Sequence, residues 1–177
     1  TTDPRATVVV NGNTFKHYSV SLWVKSNLAA TSSNNNCYIG KHNESNGNIF
    51  LLGYWSATLR LQIGTEYVTV STQAEPTAWT HYAVTASEGS SSTSVVVYRN
   101  GENIWSGTIA ATMGETFQSD YRKWILGQDW DGSGPSDYFY VLIDNVRFYK
   151  RYISAVEVQQ LYRSEFSGLR YCNVGQD

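Results

Sequence analysis

The stretch Tyr18-Ser19-Val20-Ser21-Leu22-Trp23-Val24-Lys25 alternates along its whole length. Tyr18, Val20, Leu22 and Val24 fall on one side of an extended chain and Ser19, Ser21, Trp23 and Lys25 on the other, which is the period of a strand with one face turned to a core. Working outward, less regular alternation marks further strands over residues 6–10, 38–41, 49–54, 59–63, 67–71, 81–87, 94–99, 124–127 and 138–149. Between Val95–Arg99 and Glu102–Trp105 lies Asn100-Gly101. That pair tolerates positive φ at both positions and predicts a two-residue type I′ hairpin turn.

The frame around these strands is a chain of 177 residues, 41% hydrophobic, 14% aromatic and 16% charged, which suits one domain over residues 1–177. Six Trp and 13 Tyr, with many Ser, Thr and Asn, favour pleated surfaces and turns. Thirteen Lys and Arg against 15 Asp and Glu give a formal charge of −2. No basic field is available to hold nucleic acid or an anionic membrane. No apolar run approaches the roughly 20 residues that span a bilayer, so membrane insertion is not expected. Thr1 leads into polar sequence without a signal-peptide hydrophobic region, as expected of a mature or excised chain. The polar stretches 31–36 and 88–93 read as loops, because strands resume on each side.

One helix is signalled. Ser154-Ala155-Val156-Glu157 is a capping box that opens a short helix over residues 155–162, with Val158, Leu161 and Tyr162 on one stripe. Many strands, one short helix near the C-terminus and no βαβ alternation predict an all-β fold: a two-sheet antiparallel jelly-roll sandwich.

Four blocks, in this order, resemble the laminin G-like and pentraxin-like group of concanavalin A-like jelly rolls. Residues 18–25 are similar to its early strand. Trp79-Thr80-His81 followed by Tyr98-Arg99-Asn100-Gly101 resembles its Trp-x-His strand and Tyr-x-Asn-Gly hairpin. Ile125-Leu126-Gly127-Gln128-Asp129-Trp130-Asp131 resembles the pentraxin Leu-Gly-Gln-Glu-x-Asp run, and residues 143–149 with 154–157 resemble the closing strand and helix. The blocks cover most of the chain. They specify the fold better than the function, since this architecture carries lectins, adhesion modules, hydrolases and lyases.

Asp129, Asp131 and Asp137 lie within nine residues between two strands. Crowded carboxylates repel unless a cation or strong donors neutralise them, and an all-oxygen set suits a hard cation, Ca²⁺ first. An EF-hand is the rival, with Asp129, Asp131, Ser133 and Gly134 in its leading positions. It fails because the closing position is Tyr140 and the flanks are strands. The bland alternative is a solvated acidic loop whose Asp residues cap turns. The pentraxin resemblance implies Ca²⁺ on Asp129, Asp131 and Asp137, completed by an earlier Asp-Asn pair to which Asn35 and Asn36 are the nearest match. Three departures stand out: Asn replaces the Asp of that pair, Asp129 replaces Glu and shortens a ligand arm, which would reduce a two-ion site to one, and Ser21 and Ala83 occupy the places near which the pentraxin cysteines fall.

Trp130 between two candidate ligands, with Tyr138 and Tyr140 after it, could stack on the apolar side of a sugar ring. Tyr54 and Trp55 form another exposed-looking pair, whereas Trp23, Trp79, Trp105 and Trp124 read as core. Cys37 and Cys172 are the only cysteines, too distant in sequence for a metal or redox motif. They are either a disulfide, worth roughly 4 to 5 kcal/mol in the loop-entropy account, or two separate thiols. His81 falls on a strand face and reads as packed, and no nucleophile motif surrounds His17 or His42.

The function expected from these residues is non-enzymatic: a Ca²⁺-assisted, lectin-like module that binds a glycan or glycoprotein, on a secreted or surface-displayed protein. A structural or adhesion domain that contacts other proteins, or decorates a filament or virion, is the alternative. A polysaccharide hydrolase or lyase comes third, because the Glu-x-Asp-x-x-Glu strand motif of hydrolase relatives is absent.

Overall fold

The computed structural model describes residues 7–8, 17–27, 35–43, 47–113, 124–131, 134–136 and 141–172. In chain order the elements are β1 Thr7–Val8, β2 His17–Ser26, β3 Asn36–Asn43, β4 Gly47–Trp55, β5 Thr58–Ile63, β6 Glu66–Ser71, β7 Thr80–Glu88, β8 Thr93–Arg99, β9 Glu102–Ile109, β10 Trp124–Leu126, β11 Asp129–Asp131, β12 Gly134–Ser136, β13 Val141–Tyr149 and α1 Ala155–Cys172. All strand pairs are antiparallel. One sheet runs β1-β10-β3-β4-β5-β6 and the other β13-β2-β7-β8-β9, with β11 and β12 forming a separate two-stranded ribbon. This is the two-sheet sandwich the alternation predicts.

The core is the set of residues that alternation turns inward from both sheets. Tyr18, Val20, Leu22 and Val24 of β2 and Tyr82, Val84 and Ala86 of β7 meet Phe50, Leu52 and Tyr54 of β4 and Leu59, Leu61 and Ile63 of β5. Burying side chains of this size stabilises the fold by about 1.5 to 3 kcal/mol each. Tyr54 belongs to this core and is fully buried, which corrects its reading as exposed: it shares the inward parity of Phe50 and Leu52. Trp23 and Trp124 are buried as expected, and Trp105 is half-buried against the core.

Asn100 and Gly101 have φ of 52° and 82°, both positive, and Arg99 pairs with Glu102 across the turn. The two-residue hairpin forms as the dipeptide predicts. The capping box is also present. Ser154 N donates to Glu157 Oε2 at 2.7 Å and Glu157 N to Ser154 Oγ at 3.3 Å. Together with the Arg151 guanidinium, whose hydrogen bond is the larger influence, these contacts hold the Glu157 carboxyl down at about 2.

Two expectations need correction. The helix is longer than 155–162, running to Cys172, because the stripe of Val158, Leu161 and Tyr162 continues through Glu165 and Phe166 onto the sheet. The acidic segment is not wholly loop: Asp129–Asp131 pairs with Gly134–Ser136 as a ribbon. The last strand is described over Val141–Tyr149, and residues 138–140 of the expected strand lie outside the described residues.

Candidate functional site

The two sheets present different outer faces. On the five-stranded sheet, Trp23 and His81 alternate away from the sandwich and meet α1. The Trp23 ring stacks with Tyr162 at 5.6 Å and Phe166 at 6.2 Å between centroids, and His81 lies 5.3 Å from Trp23 and 6.0 Å from Tyr162. Trp23 Nε1 donates to Glu165 Oε2 at 2.7 Å, and Arg147 Nε pairs with Glu165 Oε1 at 2.7 Å. A bulge between Asp144 and Arg147, with Asn145 at φ 49°, shifts the register of β13 so that Arg147 pairs with Ser21 on the helix side. His81 is fully buried, and burial first, then the Arg147 charge, lowers its pKa to about 4. It is neutral, packed and remote from solvent, in keeping with a structural role.

The end of the sandwich is closed by a polar cluster. Glu75, in the segment between β6 and β7, is buried and accepts from Asn36 Nδ2 at 2.6 Å and from Tyr38 OH at 2.7 Å. The Tyr38 ring lies 5.5 Å from Tyr82 and 6.0 Å from Tyr54. Burial, reinforced by these neighbours, pushes the Tyr38 hydroxyl far above its ordinary range and does the same to Tyr82.

The outer face of the six-stranded sheet differs in kind. Trp55 of β4 folds back over Gly53, where a Cβ would stand 2.9 Å from the indole edge. Gly53 is the register partner of Arg60 on β5, and Arg60 pairs with Thr69 on β6. The Arg60 guanidinium lies over the Tyr67 ring at 5.3 Å, and Tyr67 is 63% exposed. Beside this strip, β11 lies against β3 and β4. An aromatic surface with polar side chains standing in it is therefore presented to solvent, a layout suited to flat, hydroxyl-rich ligands.

Of the residues singled out in the sequence, Asp129 is buried, with 6% exposure, on β11. Asp131 follows two positions later on the same strand and pairs with Gly134. Trp130 lies between them, and the side chains of Trp130 and Asp131 are outside the described residues, as are Asp137, Tyr138 and Tyr140 entirely. Asn35 is half-buried. Asn36 is buried in register with Tyr54, and its amide donates to Glu75, which makes it part of the polar cluster. Cys37 is fully buried on β3, while the Cys172 side chain lies outside the described residues, as does their pairing. Among the described residues no group of three His, Cys, Asp or Glu converges. Of the three acidic candidates, Asp129 alone has a described side chain, and Asp131 follows it at the two-residue spacing found among the oxygen ligands of hard cations.

Sequence reading passed over Arg60, Tyr67 and Glu75. For Arg60 the signal was present: Thr58-Leu59-Arg60-Leu61-Gln62-Ile63 alternates and puts Arg60 and Gln62 on the solvent face.

A laminin G family model, described as the Concanavalin A-like lectin/glucanases superfamily, matches residues 2–159. The chain belongs to this superfamily. Among solved structures, this concanavalin A-like chain is similar to domain 4 of AbnA, an extracellular arabinanase from Geobacillus stearothermophilus in complex with arabinotriose. The two share 25% identity and a TM-score of 0.60, over 86% of this chain and 68% of that one. A candidate carbohydrate binding protein from Bacteroides ovatus matches at 17% identity and a TM-score of 0.67, over 88% of this chain and 43% of its own. The native heptameric SAP-like pentraxin from Limulus polyphemus matches at 16% identity and a TM-score of 0.60, over 92% and 78%. These last two likenesses concern the fold. No curated protein matches the sequence. No helix among the described residues is long and apolar enough to cross a membrane.

Proposed function

We propose that this concanavalin A-like domain is a carbohydrate-binding module of a secreted or surface-displayed protein, without catalytic activity of its own. The observation that carries this reading is the outer face of β4 to β6, where the Trp55 indole edge approaches Gly53, the register partner of Arg60, and the Tyr67 ring is exposed. Support comes from the likeness to an arabinanase domain solved with arabinotriose. An indole lying along a sheet offers a sugar ring its apolar side without a large loss of side-chain freedom. In this reading Asp129, Asp131 and Asp137 hold a Ca²⁺ ion, and Trp130, Tyr138 and Tyr140 extend the stacking surface. When bound, the ion supplies a hard Lewis-acid centre for sugar hydroxyls. The protein's own part is to orient the sugar on the aromatic face and to gather the carboxylates on the ribbon.

Calorimetric titration with arabino-oligosaccharides and a glycan panel, on wild type, Trp55→Ala and Trp130→Ala, tests the module. The wild type should bind at least one glycan, and loss of an indole should weaken binding about tenfold with an unchanged melting temperature. Failure to bind any glycan overturns the reading. Melting in Ca²⁺ against EDTA tests the ion, since a native-state ligand must raise the midpoint by mass action. Identical curves for wild type and Asp129→Asn in both buffers remove calcium from it.

A further inference from the structure

Resting on the carbohydrate-binding reading, we infer that the strip Trp55–Arg60–Tyr67 selects glycans bearing a carboxylate on the sugar, such as uronic acid chains. Three features of the outer face combine. First, Arg60 is the sole basic residue on β4, β5 and β6, and the sole acid there, Glu66, alternates to the opposite side of β6. Second, the guanidinium is positioned but not neutralised. Its Nε donates to Thr58 Oγ1 at 3.2 Å and its plane lies over Tyr67, while among the described residues it makes no ion pair. Among the described residues no carboxylate pairs with either Nη group. Third, aromatic rings flank it on both neighbouring strands: Trp55 lies over Gly53, the β4 partner of Arg60, and Tyr67 stands on β6.

Adjacent strands are about 4.8 Å apart, so the strip from β4 to β6 is about 10 Å across, the scale of two sugar rings. A guanidinium can donate to the hydroxyls of a neutral glycan, but its positive charge is matched only by a ligand that carries a negative one. A planar carboxylate takes two parallel N–H donors from such a fork, which an ammonium or a hydroxyl does not provide. The formal charge of −2 means that retention of a polyanion would have to come from this local site and not from a general field.

Affinity electrophoresis and titration calorimetry of the intact chain provide the test, with polygalacturonate, its carboxyl-reduced neutral counterpart, arabinan and dextran sulfate as probes. Polygalacturonate should bind about tenfold more tightly than the carboxyl-reduced polymer. Arg60→Gln should abolish that difference, and Arg60→Lys should recover only part of it, with melting temperatures confirming that both variants fold. Equal binding of the two polymers, or an unchanged preference in Arg60→Gln, overturns the inference and leaves the module reading intact if arabinan still binds. Dextran sulfate binding as tight as polygalacturonate, and equally lost in Arg60→Gln, overturns the carboxylate assignment. Absence of binding to every polymer overturns both the inference and the reading beneath it.

Discussion

The indole of Trp23 donates its Nε1 hydrogen to the carboxylate of Glu165 at 2.7 Å, joining the second strand to the last helix across 142 positions of sequence. This bond lies beneath stacked aromatic rings, where water cannot replace it. The charge it accepts is shared with Arg147, which a bulge in β13 brings to the same side. The helix is thus fixed to the five-stranded sheet by a directional contact as well as by apolar packing.

Removing the acceptor should therefore cost more than a surface carboxylate would. Glu165→Ala leaves a buried indole N–H without a partner, so urea unfolding should show a loss of about 2 to 3 kcal/mol. Trp23→Phe combined with Glu165→Ala should lose about 1 kcal/mol less than the sum of the single changes, because the orphaned donor is gone. Strictly additive losses would show that the two side chains do not interact.

His81 gives the fold an acid sensitivity of defined sign. Its folded pKa is lowered to about 4, against about 6.5 in the unfolded chain. The unfolded state therefore binds the extra proton first as pH falls. The stabilisation is complete above about pH 6.5, declines between 6.5 and 4, and amounts to about 3 kcal/mol over that window. His81→Leu should flatten this part of the stability curve relative to wild type, with other carboxylates contributing equally to both. Parallel curves would mean that the imidazole titrates normally.

Legibility from sequence followed the range of the forces involved. The Ser154–Glu157 capping box and the Asn100-Gly101 turn are set by neighbours within three residues and were readable. The β2 pattern was readable because one face meets the core and the other does not. Helix length was not, because residues beyond Tyr162 are held by Trp23, far away in sequence. Nor could spacing show that Asn36 turns inward to Glu75, since the choice depends on the segment that closes the sandwich. Arg60 was visible as a solvent-facing residue, but its isolation between Trp55 and Tyr67 emerges only once three strands are in register.

Glu75 supports the closed end of the sandwich by accepting from two buried donors, the Asn36 amide and the Tyr38 hydroxyl. Glu75→Ala should cost about 3 kcal/mol, since each abandoned donor carries about 1 to 3 kcal/mol of desolvation. Glu75→Gln keeps the shape and one good acceptor oxygen, so its loss should be about half as large. Equilibrium unfolding of the pair checks the order, and a Gln variant as damaged as the Ala variant would refute the role of shape and acceptor.

Gly53 links stability to the proposed glycan face. A Cβ there would stand 2.3 Å from the Asn36 carbonyl oxygen and 2.9 Å from Cys37 Cα, both backbone atoms, and 2.9 Å from the Trp55 ring. The ring can move aside but the neighbouring strand cannot. Gly53→Ala should therefore destabilise by about 2 to 3 kcal/mol, in the range of overpacked sites, and should also weaken glycan binding by displacing the indole. Trp55→Ala alone should weaken binding and leave stability within about 0.5 kcal/mol, as expected for a half-exposed side chain outside the core. Adding Trp55→Ala to Gly53→Ala should not restore stability, because the clash with β3 remains. Full recovery in the double variant would locate the crowding in the ring alone and show that the approach of β3 to β4 is looser than the structure has it.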